Sequence, residues 1–153
     1  MPHHHLYYHM VWTTKDRLPL ITPALEPKVH RFIAMKVKEL KGRVLALDGI
    51  EDHVHLVCTM PATIALATFV GKVMGASSRL TGLIEPFGWQ AEYGSYTVSR
   101  RDLPKVIEYV RNQKRHHAEG TTIPMLERSS SEQRKSKGDP LPGEPGDESP
   151  GLG

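Results

Sequence analysis

VLALDGIEDHVHLVCTM, residues Val44 to Met60, is the stretch on which the fold turns. Val44 to Leu47 is a short apolar run, Asp48-Gly49 is a two-residue hairpin signal, and Ile50 to Met60 reads as the partner strand. Inside that partner, His53 and His55 stand at i and i+2 and point to one side, whereas Val54, Leu56, Cys58 and Met60 point to the other. One face is polar and the other apolar. Such a strand belongs in a sheet whose apolar side lies on helices and whose histidine side is open.

The flanking sequence supplies those helices. Before the hairpin, Leu6 to Thr14 (LYYHMVWTT) is rich in aromatic and β-branched residues and reads as a first strand, closed by the proline-containing stretch Leu18 to Pro23. From Ala24 to Lys41, Val29, Phe32, Ile33, Val37 and Leu40 recur at helical spacing, and Gly42 ends the helix. After the hairpin, Thr63 to Ile84 reads as a second helix and Trp89 to Val98 (WQAEYGSYTV) as a fourth strand. A last helix runs from about Asp102 to Ala118, with Asp102 as N-cap and Pro104 in the first turn, where its missing N–H costs nothing. The first six elements, β-α-β-β-α-β, match the split βαβ pattern. The expected fold class is therefore α+β, ferredoxin-like, a four-stranded antiparallel sheet with an added C-terminal helix.

At 153 residues the chain has room for one domain of the usual ~100–200 residues. That domain is expected over 1–128. Residues 129–153 are rich in Pro, Gly and Ser without apolar periodicity, and are expected to be a disordered tail. The tail holds three Lys/Arg and five Asp/Glu and the body seventeen and twelve, so the body carries +5 and the tail −2. A basic body tilts weakly toward a polyanionic partner. No apolar run reaches the ~18 residues of a membrane span, the start lacks the order of a secretory signal, and a cytoplasmic location is expected. The single cysteine, Cys58, reads as a buried structural thiol. His3 to His5, at the terminus, are set aside as a metal site.

Two stripes divide the last helix. Leu103, Val106, Ile107 and Val110 form a core-facing line, and Tyr109, Gln113 and His116 a second line about a quarter-turn away, which puts Tyr109 and Gln113 at the edge of the buried face. Arg100, Arg101, Lys105, Arg111, Lys114 and Arg115 crowd around this helix and suit phosphate contacts or a solvated face equally well. Some of the strand aromatics, Trp12 among them, suit stacking on unpaired bases if they face the open side. His53 and His55 on one rigid strand suit a divalent cation, although a His-x-His pair taken alone reads first as two exposed histidines with no ligand.

Four segments in order sharpen this: HMVWTTKDRLPL (His9 to Leu20), HVHLV (His53 to Val57), WQAEYGSYTVS (Trp89 to Ser99) and YVRNQKRHH (Tyr109 to His117). Together, over residues 6 to 118, they resemble the single-tyrosine HUH transposases, the insertion-sequence-200-like transposases and the REP-associated tyrosine transposases. The resemblance implies a DNA transposase that cleaves and rejoins single-stranded or hairpin DNA through a 5′-phosphotyrosine. It implies Tyr109 as nucleophile, His53, His55 and Gln113 as metal ligands, and Mg²⁺ or Mn²⁺ as the metal. His116 and His117 follow Gln113 as in the family and suit a supporting or DNA-contacting place. Dimers that share active sites between subunits occur in the family, and a catalytically silent or host-recruited hairpin-binding protein is the alternative role.

Overall fold

The computed structural model describes residues 6–127. The expected tail over 129–153 and the triple His3 to His5 lie outside the described residues.

Four strands, β1 (Leu6–Thr14), β2 (Arg43–Ile50), β3 (His53–Met60) and β4 (Trp89–Val98), form one sheet in the order β2-β3-β1-β4, antiparallel throughout. Helix α1 (Glu26–Glu39) joins β1 to β2, and α2 (Leu66–Gly82) joins β3 to β4. This is the expected ferredoxin-like α+β arrangement. Alternation along the central strands builds the main core: Met10 and Trp12 from β1 and Val54, Leu56, Cys58 and Met60 from β3 meet Val29, Ile33 and Val37 of α1 and Phe69, Val70 and Val73 of α2.

The hairpin differs from its sequence reading. Asp48 and Gly49 lie inside β2, paired with His55 and Val54, and the turn falls on Glu51 and Asp52. Gly49 answers a close approach instead of a turn, because a Cβ there would lie 2.1 Å from the carbonyl oxygen of His53. At the end of α1, Lys41 takes the left-handed conformation (φ 72°) expected of glycine. The Lys41 N–H donates to Lys38 and the Gly42 N–H to Val37, closing a Schellman motif.

The last helix is also two. It runs as α3 (Leu103–Arg111) and α4 (Gln113–Glu119), broken at Asn112 (φ −111°, ψ 29°). Asp102 is already helical and makes no side-chain cap; the Ser99 hydroxyl accepts its N–H at 3.1 Å. The expected open face is therefore covered in part. Val110 packs with Ala46 of β2 and Val57 of β3, with Leu103, Val106 and Ile107 beside them, so α3 closes a second, smaller core over the histidine side of the sheet. Among the described residues, no helix is long and apolar enough to cross a membrane.

Candidate metal and tyrosine site

The two imidazoles of β3 stand between this second core and the sheet. His53 is 2 % exposed and His55 0 %. Their ring centroids lie 5.0 Å apart. Asp52, in the hairpin turn, holds Nδ1 of His53 at 2.8 Å, and His9 of β1 holds Nδ1 of His55 at 2.9 Å. Both rings thus turn Nε2 toward α3 and α4. The break at Asn112 brings Gln113 down onto them: it is fully buried, its Oε1 3.3 Å from His53 Nε2 and 3.1 Å from His117 Nε2. Tyr109, one turn earlier, is 5 % exposed with its ring 6.1 Å from that of His55. Tyr109, His53, His55 and Gln113 therefore come together within one chain.

A residue with no sequence signal stands at their centre. Glu127, just past a short 3₁₀ turn over Pro124–Leu126, directs Oε1 to Nε2 of His55 at 3.0 Å, of His53 at 3.2 Å and of His117 at 3.3 Å. Its Oε2 accepts from Gln113 Nε2 at 3.2 Å and from the Tyr109 hydroxyl. Burial alone would raise the Glu127 carboxyl, but the hydrogen bonds from His53 and His55 outweigh it and hold the group far below the ordinary carboxylate range. His53 shows the mirror effect. Burial opposes its charge, yet the bonds to Asp52 and Glu127 raise it to about 9. His55, more deeply buried and beside His53, is lowered.

These groups suit a divalent cation. Ligand atoms of His53, His117 and Glu127 lie within 4.8 Å of one another, and Gln113 Oε1 faces the same point. Imidazole nitrogen together with amide and carboxylate oxygen is a donor set for first-row divalent ions.

The phenol is at rest here. Desolvation, followed by the nearby Glu127 carboxylate, pushes Tyr109 up to about 12. Its oxygen also accepts the Ile123 N–H at 3.0 Å. His116 stacks on the tyrosine ring, centroids 4.6 Å apart, and is itself tied to Thr121 at 2.8 Å.

The expected DNA contacts divide. Lys105 and Arg115, with Tyr109 and His116, line a surface depression of about 260 Å³. Arg100 and Arg101 are exposed beyond the end of β4, away from the cluster. Arg111 reaches the Leu45 carbonyl at 3.4 Å. Lys114 is not free for phosphate, because Glu26 at 2.6 Å and Asp48 at 2.8 Å hold its ammonium. Trp12 is withdrawn as a base-stacking residue. It points to the α1/α2 side, is 0 % exposed and packs edge-on against Trp89 at 5.8 Å. Strand parity already carries that signal, since Trp12 shares its side with Met10 and opposes His9.

Known proteins share this fold. ISDra2 transposase TnpA of Deinococcus radiodurans is 24 % identical over 117 residues, covering 71 % of this chain and 84 % of that protein. A solved structure of a candidate transposase from Deinococcus radiodurans R1 superposes with a TM-score of 0.60 at 24 % identity, over 72 % of this chain and 92 % of its own. A REP-associated tyrosine transposase bound to a REP hairpin superposes with a TM-score of 0.59 at 11 % identity, over 80 % and 74 %. At these identities the two structures share the fold. The description of the IS200-like transposases matches residues 2–113, which takes in His53, His55, Tyr109 and Gln113 and stops before His117 and Glu127. With most of its length inside that match, this chain belongs to the IS200-like transposase family.

Proposed function

We propose that the protein cuts and rejoins single-stranded DNA with Tyr109 as nucleophile. The observation that carries this reading is the convergence of the Tyr109 hydroxyl, the His53 and His55 Nε2 atoms and the Gln113 amide on one carboxylate, that of Glu127. Tyr109 oxygen attacks the scissile phosphorus and forms a phosphotyrosine with the 5′ end, while the bond to the 3′ oxygen breaks and leaves a 3′-OH. That hydroxyl, or one from another strand, reverses the step and rejoins DNA without an external energy source. His53, His55 and Gln113 would hold a divalent cation, Mg²⁺ or Mn²⁺, with His117 within reach. When bound, such an ion supplies charge stabilisation at the phosphate and eases ionisation of the phenol.

Glu127 Oε1 stands where the three imidazole Nε2 atoms meet, and a nitrogen that ligates a metal has no proton to share with a carboxylate, so a cation would take the place of these hydrogen bonds, with Glu127 as a further oxygen donor. Lys105 and Arg115, which line the depression with the tyrosine, would receive the backbone of the incoming strand. Likeness in fold to a hairpin-bound transposase supports hairpin DNA as the substrate form. Peptide mapping of the adduct formed with a hairpin oligonucleotide and Mn²⁺ tests the assignment. A nucleotide remnant on the peptide containing Tyr109 is expected, and one on any other residue contradicts it.

A further inference from the structure

His9 lies in the first of the family-like segments and takes no part in the steps above. It stands on β1 opposite Val57, fully buried, on the same side of the sheet as His53 and His55. Its Nε2 is 2.9 Å from Nδ1 of His55, and the two rings stack with centroids 5.1 Å apart and planes 19° from parallel. His9 does not face the cluster itself. Its Nε2 is engaged by His55, and its Nδ1 is buried without a partner among the described residues.

A histidine that ligates through Nε2 must carry its proton on Nδ1, and that proton needs an acceptor which also fixes the ring. For His53 the acceptor is the Asp52 carboxylate. We propose that His9 is the corresponding positioning residue for His55: its Nε2 accepts the Nδ1–H of His55 and presents the Nε2 lone pair of His55 to the cation. The proposal rests on the metal-site reading given above.

The choice of imidazole has a physical reason. At 0 % exposure, a third carboxylate beside Glu127 and Asp52 would add an ill-solvated charge, whereas neutral imidazole accepts a hydrogen bond and adds none.

The test is Mn²⁺ titration of the full chain by calorimetry, in the wild type and in His9→Phe, His9→Gln and His53→Ala. Phenylalanine keeps the ring and removes the acceptor, and glutamine restores an acceptor that can also donate. His9→Phe is expected to bind Mn²⁺ about 10–100-fold more weakly, the range for loss of a partner behind a metal ligand. His9→Gln is expected close to the wild type. His9→Phe at wild-type affinity overturns the proposal, and so does His9→Gln weakened as far as His9→Phe. If His9→Phe does not fold, His9→Leu takes its place under the same criteria. Binding lost in His53→Ala but intact in His9→Phe removes this inference alone, whereas a wild type that does not bind Mn²⁺ removes the metal site and the inference with it.

Discussion

His53 lies 2.8 Å from Asp52 and 3.2 Å from Glu127, so its cationic form is stabilised although it is buried. Its folded-state value of about 9 exceeds the ordinary 6.5. A raised imidazole contributes stability that is complete below the unfolded value and is lost as pH rises through the folded one. Metal-free protein should therefore lose stability between about pH 6.5 and 9, by at most about 3–4 kcal/mol at ~1.4 kcal/mol per unit. Urea unfolding in chelator across that window checks this. Asp52→Asn should flatten the slope, and an unchanged slope would count against the pairing. Glu127→Ala, under the same conditions, leaves Gln113 and three imidazoles facing an empty carboxylate position, and should lower stability by roughly 1–3 kcal/mol. Glu127 was out of reach of sequence reasoning for a physical reason. It follows an aperiodic, proline-containing segment past the last helix, and only the fold sets one carboxylate against three imidazoles. His53 and His55 were legible, because strand parity places both on one face whatever else surrounds them.

Among the elements, the β2–β3 hairpin shows both the reach and the limit of reading sequence. Alternation located β3 to its last residue, Met60, and the opposite sides of the pleat were as expected. Asp48-Gly49 misled because glycine serves two needs, turn conformations and close approach, and the second prevails here. Gly49→Ala would set a methyl 2.1 Å from the His53 carbonyl oxygen and 2.8 Å from Val54 Cα, both backbone atoms that cannot swing aside. A loss of about 1–3 kcal/mol is expected from thermal unfolding, with weaker Mn²⁺ binding because the displaced strand carries His53. Helix periodicity likewise projected Tyr109 and Gln113 onto neighbouring positions but could not foresee the break at Asn112. That break, with Asn112 Nδ2 bonded to the Glu108 carbonyl at 2.8 Å, lets Gln113 turn fully inward.

Taken as a whole molecule, the sheet presents His53 and His55 from its centre, and the C-terminal helices fold back to bring Gln113 and Tyr109 onto them. Lys114 fastens that return, joining α4 to Glu26 of α1 and Asp48 of β2. Tyr109 and the histidines lie together in this chain, and the proposed site draws them from the same chain. Mixing Tyr109→Phe with His53→Ala should accordingly leave DNA cleavage absent, and activity restored by mixing would show that subunits share sites. The βαββαβ order was legible because each element keeps its own apolar period. Closure of the histidine face was not, since it depends on where α3 docks. The most direct measurement of the central claim is cleavage of a labelled hairpin oligonucleotide with Mn²⁺ by wild-type and Tyr109→Phe protein, followed under denaturing conditions. The wild type should yield a denaturant-resistant protein–DNA adduct and a free 3′-OH, with both adduct and cleavage gone in Tyr109→Phe; cleavage that persists in Tyr109→Phe would contradict a tyrosine nucleophile.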